Sequence, residues 1–553
     1  MNLKKEALLL ILILLAHSVL VVMSMNQPFQ GDEAVFSESA KAILKTGRPV
    51  FDYGQTMHNF ENLKHPPLYN YIISLFILVF GESIYVLRSV SAIFNFLTVI
   101  LVYLSARELL KNNKNCAGWG LFAAALYALN PLTIQSSVVM DIDGGILNFF
   151  SYLFLYFYIK NKSSILLIGA LSLVFFSKMS GAVMLFLSMA VFTLATEFKK
   201  ALKIIWLFLA ATVIFLAVFW VYTYSLNLDF LSPFVHNFSA GVGEGMLSLT
   251  SILRMAWAFK SFIDFSIPFL VALFIVVSIK FYKDISERGF WDSEEKKAWL
   301  YGIFAMVSIL VFTCIRANGY GFPKYFITAL PAMSIFISYS LSKKFFLENK
   351  KKEYILICVI LAFYFLVYVG DPLIPKFDST AENTAIIPAG ILILKSFFIW
   401  TIIPFAATLL IFRIFKVRGG IILTLLFLTF FCYGYISLLQ ASANYSTYYR
   451  YGDTGMLESV QYIKDNHISP KEVVTYLNIG DYIGVSDYYE ITYAFPNRSF
   501  FKQQIVENDN LKYLLTNERD IARIGSENMN YFALEKKIGS YYLWKKGILN
   551  YTQ

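Results

Sequence analysis

Long apolar runs separated by short polar segments dominate the first 440 residues of the chain. Because a helix of roughly 20 apolar residues is long enough to cross a bilayer, these runs predict transmembrane helices. About thirteen such helices are predicted, at 6–25, 84–106, 117–136, 144–160, 163–177, 181–197, 201–222, 263–282, 298–315, 325–342, 354–370, 385–412 and 420–440. The pattern therefore predicts a polytopic α-helical membrane domain over residues 1–440.

The apolar stretch from Leu68 to Phe80 is too short for an ordinary transmembrane span, since a helix rises only ~1.5 Å per residue. It is predicted to form a re-entrant or interfacial helix. With that choice, every second loop carries a basic cluster, as the positive-inside rule expects of cytoplasmic loops. The clusters are Arg107 to Lys114, Lys160 with Lys162, Lys199 with Lys200, Lys283 to Lys297, Lys343 to Lys352, and Lys416 with Arg418.

This alternation predicts a multi-pass protein of the cytoplasmic membrane with a cytoplasmic N-terminus. The loop 26–83 and the region 441–553 are then extracytoplasmic. The latter is less hydrophobic, with a helix-like stretch at 455–466 and strand-like runs at 473–477 and 489–495. These features predict a small extracytoplasmic α/β domain at the C-terminus.

Composition agrees with a membrane protein, since 57% of the residues are hydrophobic, 15% are charged and the mean hydropathy is +0.58. The formal charge of +10 comes from lysines and arginines clustered between apolar runs. Such clusters are topology signals, and we expect no nucleic-acid partner. The four cysteines have no zinc-ligand or disulfide-framework spacing.

Two adjacent carboxylates, Asp32 and Glu33, directly follow the first predicted span. Ionisable groups at a bilayer are costly to keep and therefore indicate function. As catalytic groups, one carboxylate would accept a proton from an acceptor hydroxyl while its neighbour positions it. The alternative is a helix N-cap and a first-turn acid of a helix running through residues 38–44.

Basic residues also flank a proline pair in Lys64-His65-Pro-Pro-Leu-Tyr69. The prolines hold Lys64 and His65 at the mouth of the short apolar helix. Both are candidate ligands for a donor phosphate. The alternative is punctuation between a loop and a helix, with solvated charges.

A second pair of carboxylates, Asp141 and Asp143, lies at the predicted outer end of a span. Carboxylates spaced in this way can supply oxygen ligands to a divalent cation. The alternative is a pair of acids favoured at a helix N-terminus by the macrodipole. A metal at this position is therefore optional.

Cations occupy two further outer segments, Ser177 to Gly181 around Lys178 and the loop from Arg316 to Tyr325. Lys178, Arg316, Lys324 and Tyr325 are candidates for contact with a phosphate, a task that suits both lysine and arginine. The alternatives are a snorkelling lysine and interfacial anchoring of the loop. Acids and bases from separate loops thus gather on one predicted face, as a buried polar site between helices requires.

Taken in order, these motifs resemble those of the GT-C glycosyltransferases. The motifs are Gly31-Asp32-Glu33, His65-Pro-Pro-Leu-Tyr69, Ser177-Lys178-Met-Ser-Gly181 and Lys324-Tyr325-Phe-Ile-Thr-Ala-Leu-Pro-Ala332. The branch they resemble is the dolichyl-phosphate-mannose-protein mannosyltransferase and aminoarabinose transferase group, glycosyltransferase families 39 and 83.

The resemblance implies transfer of a sugar from a polyprenyl phosphate to an acceptor hydroxyl on a lipid, glycan or protein. It implies inversion at the anomeric carbon, reaction on the extracytoplasmic face, contact with membrane lipids and no required cofactor. Asp32 matches the catalytic or acceptor-orienting carboxylate, with Glu33 as its companion, and Lys178 matches the lysine near the donor phosphate. His65 and Phe36 depart from the family pattern, which often has Lys and, in the aminoarabinose branch, Tyr at these positions.

Two other classes of function remain open from the sequence. Polar residues inside a helical bundle also mark the substrate pathway of a transporter or lipid flippase. A receptor-like membrane protein would use the C-terminal domain for binding and leave the outer charges unused.

Overall fold

The computed structural model describes most of the membrane domain and part of the C-terminal domain. The described residues are 3–25, 33–51, 60–61, 63, 65–196, 198–231, 234, 255, 258–259, 262–263, 266, 268–289, 291–314, 324–343, 455–475, 509–517, 521, 524, 526–539 and 541–547.

The helices of the membrane domain follow the apolar runs of the sequence. They are α1 (Leu3–Ser24), α2 (Glu33–Thr46), α3 (Leu68–Phe80), α4 (Ile84–Leu109), α5 (Cys116–Ala128), α6 (Pro131–Val138), α7 (Asn148–Ile159), α8 (Ser164–Ser177), α9 (Met179–Thr196), α10 (Ala201–Ser225), α11 (Pro268–Arg288), α12 (Ser293–Cys314) and α13 (Leu330–Ser342). Short strands β1 (Val50–Phe51) and β2 (Phe60–Glu61) pair antiparallel between α2 and α3.

The mostly helical membrane fold is confirmed, whereas the total of thirteen spans stays a prediction. In the described part of the chain, six helices are long and apolar enough to cross a membrane, or seven if one bent pair is counted as a span. The predicted spans 354–370, 385–412 and 420–440 lie outside the described residues, as does the predicted domain boundary after residue 440.

Within the predicted span 117–136 the structure has a break between two helices. The structure has α5 and α6 there, bent by 62° relative to each other. Asn130 has extended backbone dihedrals, and its side chain accepts a hydrogen bond from the Leu132 N–H, which caps α6. Proline at the first position of α6 cannot donate the hydrogen bond that would continue α5.

The centre of the bundle is formed by α13 and the 3-10 turn Lys324–Ala329 that precedes it, since 89% of that apolar window is buried. At the periphery, α1 and α10 expose large apolar side chains, including Leu12 and Trp206. Apolar residues therefore lie on both the inside and the outside of the bundle, as expected when the surrounding solvent is lipid.

Ion pairs and hydrogen bonds join several predicted cytoplasmic loops at one end of the bundle. Glu6 lies 3.3 Å from Arg107, and Glu108 lies 3.2 Å from Lys160. Asn112 donates to Glu294, which also lies 3.9 Å from Lys343. These loops share one end of the fold, in agreement with their common predicted side.

Helix α4 runs from this end of the bundle to the opposite end. Arg88 lies near its start and Arg107 near its end. At 1.5 Å per residue the two positions are about 29 Å apart along the helix axis, close to the thickness of a bilayer core. Arg88 therefore marks the opposite boundary, where the candidate chemical groups lie.

The short helix α3 is confirmed at Leu68–Phe80. It packs against α2, where the Ser74 hydroxyl donates to the Ala40 carbonyl over 2.9 Å. Its other face exposes apolar side chains such as Leu78 and Phe80. Its length and apolar exposure fit the predicted re-entrant or interfacial helix.

The C-terminal region contains helix α14 (Met456–Asp465), a short helix α15 (Ser526–Met529) and a four-stranded sheet. The sheet has the order β3-β4-β6-β5, from β3 (Val473–Val474), β4 (Tyr513–Asn517), β5 (Phe532–Ile538) and β6 (Tyr541–Lys546). Only β3 and β4 are parallel among these pairs. The predicted helix and first strand are confirmed, and the predicted strand at 489–495 lies outside the described residues.

The membrane orientation can be tested with single cysteines introduced into a variant that lacks the four native ones. In right-side-out membrane vesicles, a membrane-impermeant maleimide should label Glu82→Cys directly. It should label Lys114→Cys only after the membrane has been permeabilised. Both residues are exposed, and they lie beyond opposite ends of α4. Labelling of both from the same side would contradict the predicted topology.

Candidate active site

The start of α2 is fixed by a fully buried ion pair between Glu33 and Arg88. Arg88 donates from Nε to Glu33 Oε1 over 2.9 Å and from Nη2 to Oε2 over 2.8 Å. Arg88 Nη1 donates to the Met25 carbonyl over 2.6 Å, and the Met140 N–H donates to Glu33 Oε1 over 2.9 Å. Both charged side chains are 0% exposed. One carboxylate and one guanidinium thus connect α1, α2, α4 and the segment after α6.

The segment after α6 carries both aspartates and ends in a π-helical turn, Asp143–Leu147. Gly145 in this turn has non-helical dihedrals, with φ −90° and ψ −111°. A Cβ on Gly144 would lie 2.6 Å from Ser136 Cβ and 2.9 Å from the Ser136 carbonyl oxygen. Glycine at this position therefore lets the turn approach α6 closely.

Each aspartate is paired with a buried lysine from another element. Lys178, between α8 and α9, lies 2.8 Å from Asp143 Oδ1 and 2.7 Å from Oδ2. Lys324 Nζ lies 2.9 Å from Asp141 Oδ1. Burial is the largest influence and acts to lower the pKa of Lys178, but Asp143, Tyr325 and Asp141 together outweigh it and hold that pKa above its ordinary value. Lys178 therefore remains a cation in spite of its burial.

The two lysines share one aromatic neighbour, Tyr325. Lys178 Nζ lies 4.5 Å from the ring centroid and Lys324 Nζ lies 5.0 Å from it. These distances are within the range of cation–π attraction. The ring therefore holds two ammonium groups from different segments in one neighbourhood.

A row of buried polar side chains on α4 faces this neighbourhood. The Ser91 hydroxyl lies 2.6 Å from the Tyr69 hydroxyl and 3.4 Å from the backbone nitrogen of Asp141. One turn further, Asn95 donates to the Gly144 carbonyl over 2.5 Å. Helix α4 thereby supports the backbone of the segment that carries both aspartates.

The structure brings six of the sequence-predicted residues into this region: Glu33, Asp141, Asp143, Lys178, Lys324 and Tyr325. His65 stands just before α3, whose Tyr69 reaches Ser91. Asp32, Lys64 and Arg316 lie outside the described residues.

The two acids predicted as optional metal ligands are held by lysines in the structure. Across the described segments, no group of three or more His, Cys, Asp or Glu side chains could hold a metal ion. A role for Asp141 and Asp143 in binding a divalent cation stays a prediction.

Arg88, Ser91 and Asn95 belong to this region of the structure but are not among the candidate residues predicted from the sequence. A signal for them exists, because these residues recur every three or four positions within an otherwise apolar helix, and so share one face. A charged residue inside a predicted span is also a functional candidate in its own right. The partner of Arg88 could not be read from the sequence, since Glu33 is 55 residues away.

Known proteins resemble this chain both in sequence pattern and in fold. The family model for dolichyl-phosphate-mannose-protein mannosyltransferase matches residues 64–224. No curated protein sequence gives a significant match.

Solved structures resemble the chain over almost its whole length. ArnT from Cupriavidus metallidurans bound to undecaprenyl phosphate is 13% identical, with a TM-score of 0.66, and the match covers 98% of each chain. Its apo state is 14% identical, with a TM-score of 0.62 and 97% of each chain covered. The Archaeoglobus fulgidus oligosaccharyltransferase AglB, in complex with an inhibitory peptide and a dolichol-phosphate, has a TM-score of 0.50 at 12% identity. That match covers 100% of this chain and 75% of AglB.

These findings confirm the resemblance predicted from the sequence motifs. The fold resembles that of ArnT and AglB, and residues 64–224 match the protein mannosyltransferase family model, in agreement with the predicted GT-C resemblance. The C-terminal sheet domain that follows the helical bundle is confirmed with it.

The buried Glu33–Arg88 pair makes a strong prediction about stability. Arg88→Met should lower the free energy of unfolding by about 3–5 kcal/mol, because the buried carboxylate loses its guanidinium counter-charge. The measurement is denaturant unfolding of the purified protein in detergent.

Lys111→Met is the control, because the Lys111 side chain is 58% exposed in its pair with Glu108 and should contribute less than about 1 kcal/mol. Replacing both partners, in Arg88→Met with Glu33→Leu, should recover part of the lost stability. Equal, small effects of Arg88→Met and Lys111→Met would contradict the assignment of a buried pair.

Proposed function

We propose that this protein is a membrane glycosyltransferase that transfers a sugar from a polyprenyl-phosphate donor to an acceptor hydroxyl. The observation that carries the proposal is the pair of buried lysines that share Tyr325, at the same end of the bundle as helix α2, which begins at Glu33. Such a site offers cations for a lipid phosphate and a carboxylate for an acceptor. The acceptor is a lipid, a glycan or a protein.

The charge change of the reaction suits this arrangement. When the acceptor oxygen attacks the anomeric carbon, the bond from that carbon to the phosphate oxygen breaks. The electron pair stays on the departing oxygen, so the phosphate gains one negative charge. Lys178 and Lys324 stabilise this charge electrostatically, and their ammonium groups are already held in place by Asp143 and Asp141.

The charges also explain why further cations belong to the site. The formal charges of the two described lysines and their two aspartates cancel. A donor phosphate would make this group net negative, and the departing phosphate would make it more so. Lys64, His65 and Arg316, the other candidate phosphate ligands, would supply the missing positive charge.

The acceptor side is assigned to Asp32, which takes the proton of the attacking hydroxyl or positions that hydroxyl. Glu33 follows directly at the start of α2 and is held by Arg88 from two nitrogens. This contact favours a positioning role for Glu33.

Attack by the acceptor from the side opposite the phosphate gives inversion in a single displacement. The positive-inside pattern favours reaction on the extracytoplasmic face, where nucleotide sugars are not available as direct donors. The likeness in fold to ArnT bound to undecaprenyl phosphate, and to AglB with a dolichol-phosphate, supports a polyprenyl-phosphate donor. No cofactor is required by this mechanism, and a divalent cation stays optional.

The donor class is tested with purified protein in detergent or liposomes. Polyprenyl-phospho-sugars should be consumed and release free polyprenyl phosphate, whereas nucleotide sugars should not react. The measurement is mass spectrometry of the lipid fraction, with a mixed membrane-lipid extract from the native host as the acceptor source. Movement of the intact lipid across liposomes without loss of its sugar would instead support a flippase.

The assigned residues are tested by substitution. Asp32→Asn should lower kcat by about 10²-fold or more, because it removes the proton acceptor. Lys178→Ala should lower kcat by about 10²–10³-fold, because the phosphate loses a charge partner as its own charge develops.

Lys283→Ala is the matched control, since the Lys283 side chain is 74% exposed and pairs only within its own helix among the described residues. Its kinetic constants should equal those of the wild type. Retention of wild-type kcat in both Asp32→Asn and Lys178→Ala would show that the residues are wrongly assigned.

A further inference from the structure

We infer that Asn95 is a positioning residue, which holds the π-helical turn 143–147 so that Asp143 meets Lys178. The inference rests on the proposed function for its consequence in catalysis, but not for its structural part. Asn95 lies in the middle of α4, and none of the sequence motifs includes it.

The contacts of Asn95 join four elements of the fold. Its Nδ2 donates to the Gly144 carbonyl over 2.5 Å, and its Oδ1 accepts from the Tyr127 hydroxyl over 2.6 Å. The Tyr127 hydroxyl in turn accepts from Asn148 Nδ2 over 2.8 Å. Asn95, Tyr127 and Asn148 are 0% exposed, and Gly144 is buried as well. This network links α4, α5 and the start of α7 to the turn.

The turn needs such a partner because its backbone departs from the α-helical pattern. Leu147 N–H bonds to the Ile142 carbonyl, one residue further back than in an α-helix, and Gly145 is non-helical. Backbone carbonyls displaced from the regular ladder must find other donors when they are buried. The Asn95 amide supplies that donor to Gly144, the residue next to Asp143.

The position of the turn decides where the Asp143 carboxylate lies. Asp143 binds Lys178 through both of its oxygens, and a two-oxygen contact tolerates little displacement. If the Gly144 carbonyl lost its donor, the turn would move or take up water. The Lys178 ammonium would then lose its fixed place beside the Tyr325 ring.

Thr98, one turn further along α4, provides a matched control. It is also fully buried and polar, but its hydroxyl donates to the Phe94 carbonyl of its own helix over 2.8 Å. Thr98→Val therefore removes a buried hydroxyl from the same helix face without removing a described bond to another element.

The structural part is tested by a double-mutant cycle on thermal unfolding of the full chain in detergent. Asn95→Leu, which has a similar volume, and Lys178→Met are measured singly and together. If Asn95 holds Asp143 against Lys178, the two losses in Tm should add to more than the loss in the double variant. Thr98→Val and Lys178→Met should be additive. Additive losses for Asn95 and Lys178 would overturn the inference, whatever reaction the protein catalyses.

The functional part is tested by steady-state kinetics with a polyprenyl-phospho-sugar donor. Asn95→Leu should raise the donor KM or lower kcat by about tenfold to a hundredfold per folded molecule, with the acceptor KM unchanged. Thr98→Val should match the wild type. Wild-type constants in Asn95→Leu would overturn the assigned positioning role.

A milder variant guards against failure of Asn95→Leu to fold. Tyr127→Phe removes one hydroxyl from the network and leaves the Asn95 bond to Gly144 available. It should couple with Lys178→Met in the same direction but more weakly, and the absence of coupling in both variants would refute the network. A wild-type protein that transfers no sugar would refute the proposed function alone, since the unfolding cycle still decides the role of Asn95.

Discussion

The pairing of charges that have been removed from water is the constraint on which this structure depends. Glu33, Arg88, Asp141, Asp143, Lys178 and Lys324 are all buried at one end of the helical bundle. An unpaired ion in such surroundings would cost several kcal/mol, so each carboxylate must have its cation at hydrogen-bond distance. The described ion pairs therefore determine how the loops between helices fold onto one another.

The same constraint prepares the site for its proposed reaction. Preorganised charges stabilise a developing charge without having to reorganise while the bond breaks. Lys178 and Lys324 are placed by carboxylates and by Tyr325, so that a phosphate entering the site meets cations whose orientation is already set. Because Asp143 and Asp141 neutralise the two lysines, the ammonium groups repel each other less than they would without these carboxylates.

The sequence predicted the helical membrane class well, because apolar runs report directly on contact with lipid. It also predicted helix α3 and the charged residues Glu33, Asp143 and Lys178, since polar residues stand out against an apolar background. It missed the break between α5 and α6, although Asn130-Pro131 marks that break in the sequence: the asparagine caps α6 and the proline begins it. The angle of 62° between the two helices depends on tertiary contact, and the sequence does not predict it.

The choice of partners could not be predicted for a related reason. Lys178 was expected to meet a phosphate, and its bond to Asp143 depends on how two distant loops approach each other. Arg88 also stands out in an otherwise apolar span, but its pairing with Glu33, 55 residues away, could not be predicted from spacing. A test for polar side chains at three- and four-residue spacing within α4 would have found Arg88, Ser91 and Asn95 together.

Helix α4 links the two halves of the proposed chemistry. Arg88 holds Glu33 at the start of α2, while Asn95, two turns along, donates to the turn that carries Asp143. Because an α-helix is rigid over two turns, α4 sets the separation between Glu33 and the turn that carries Asp143.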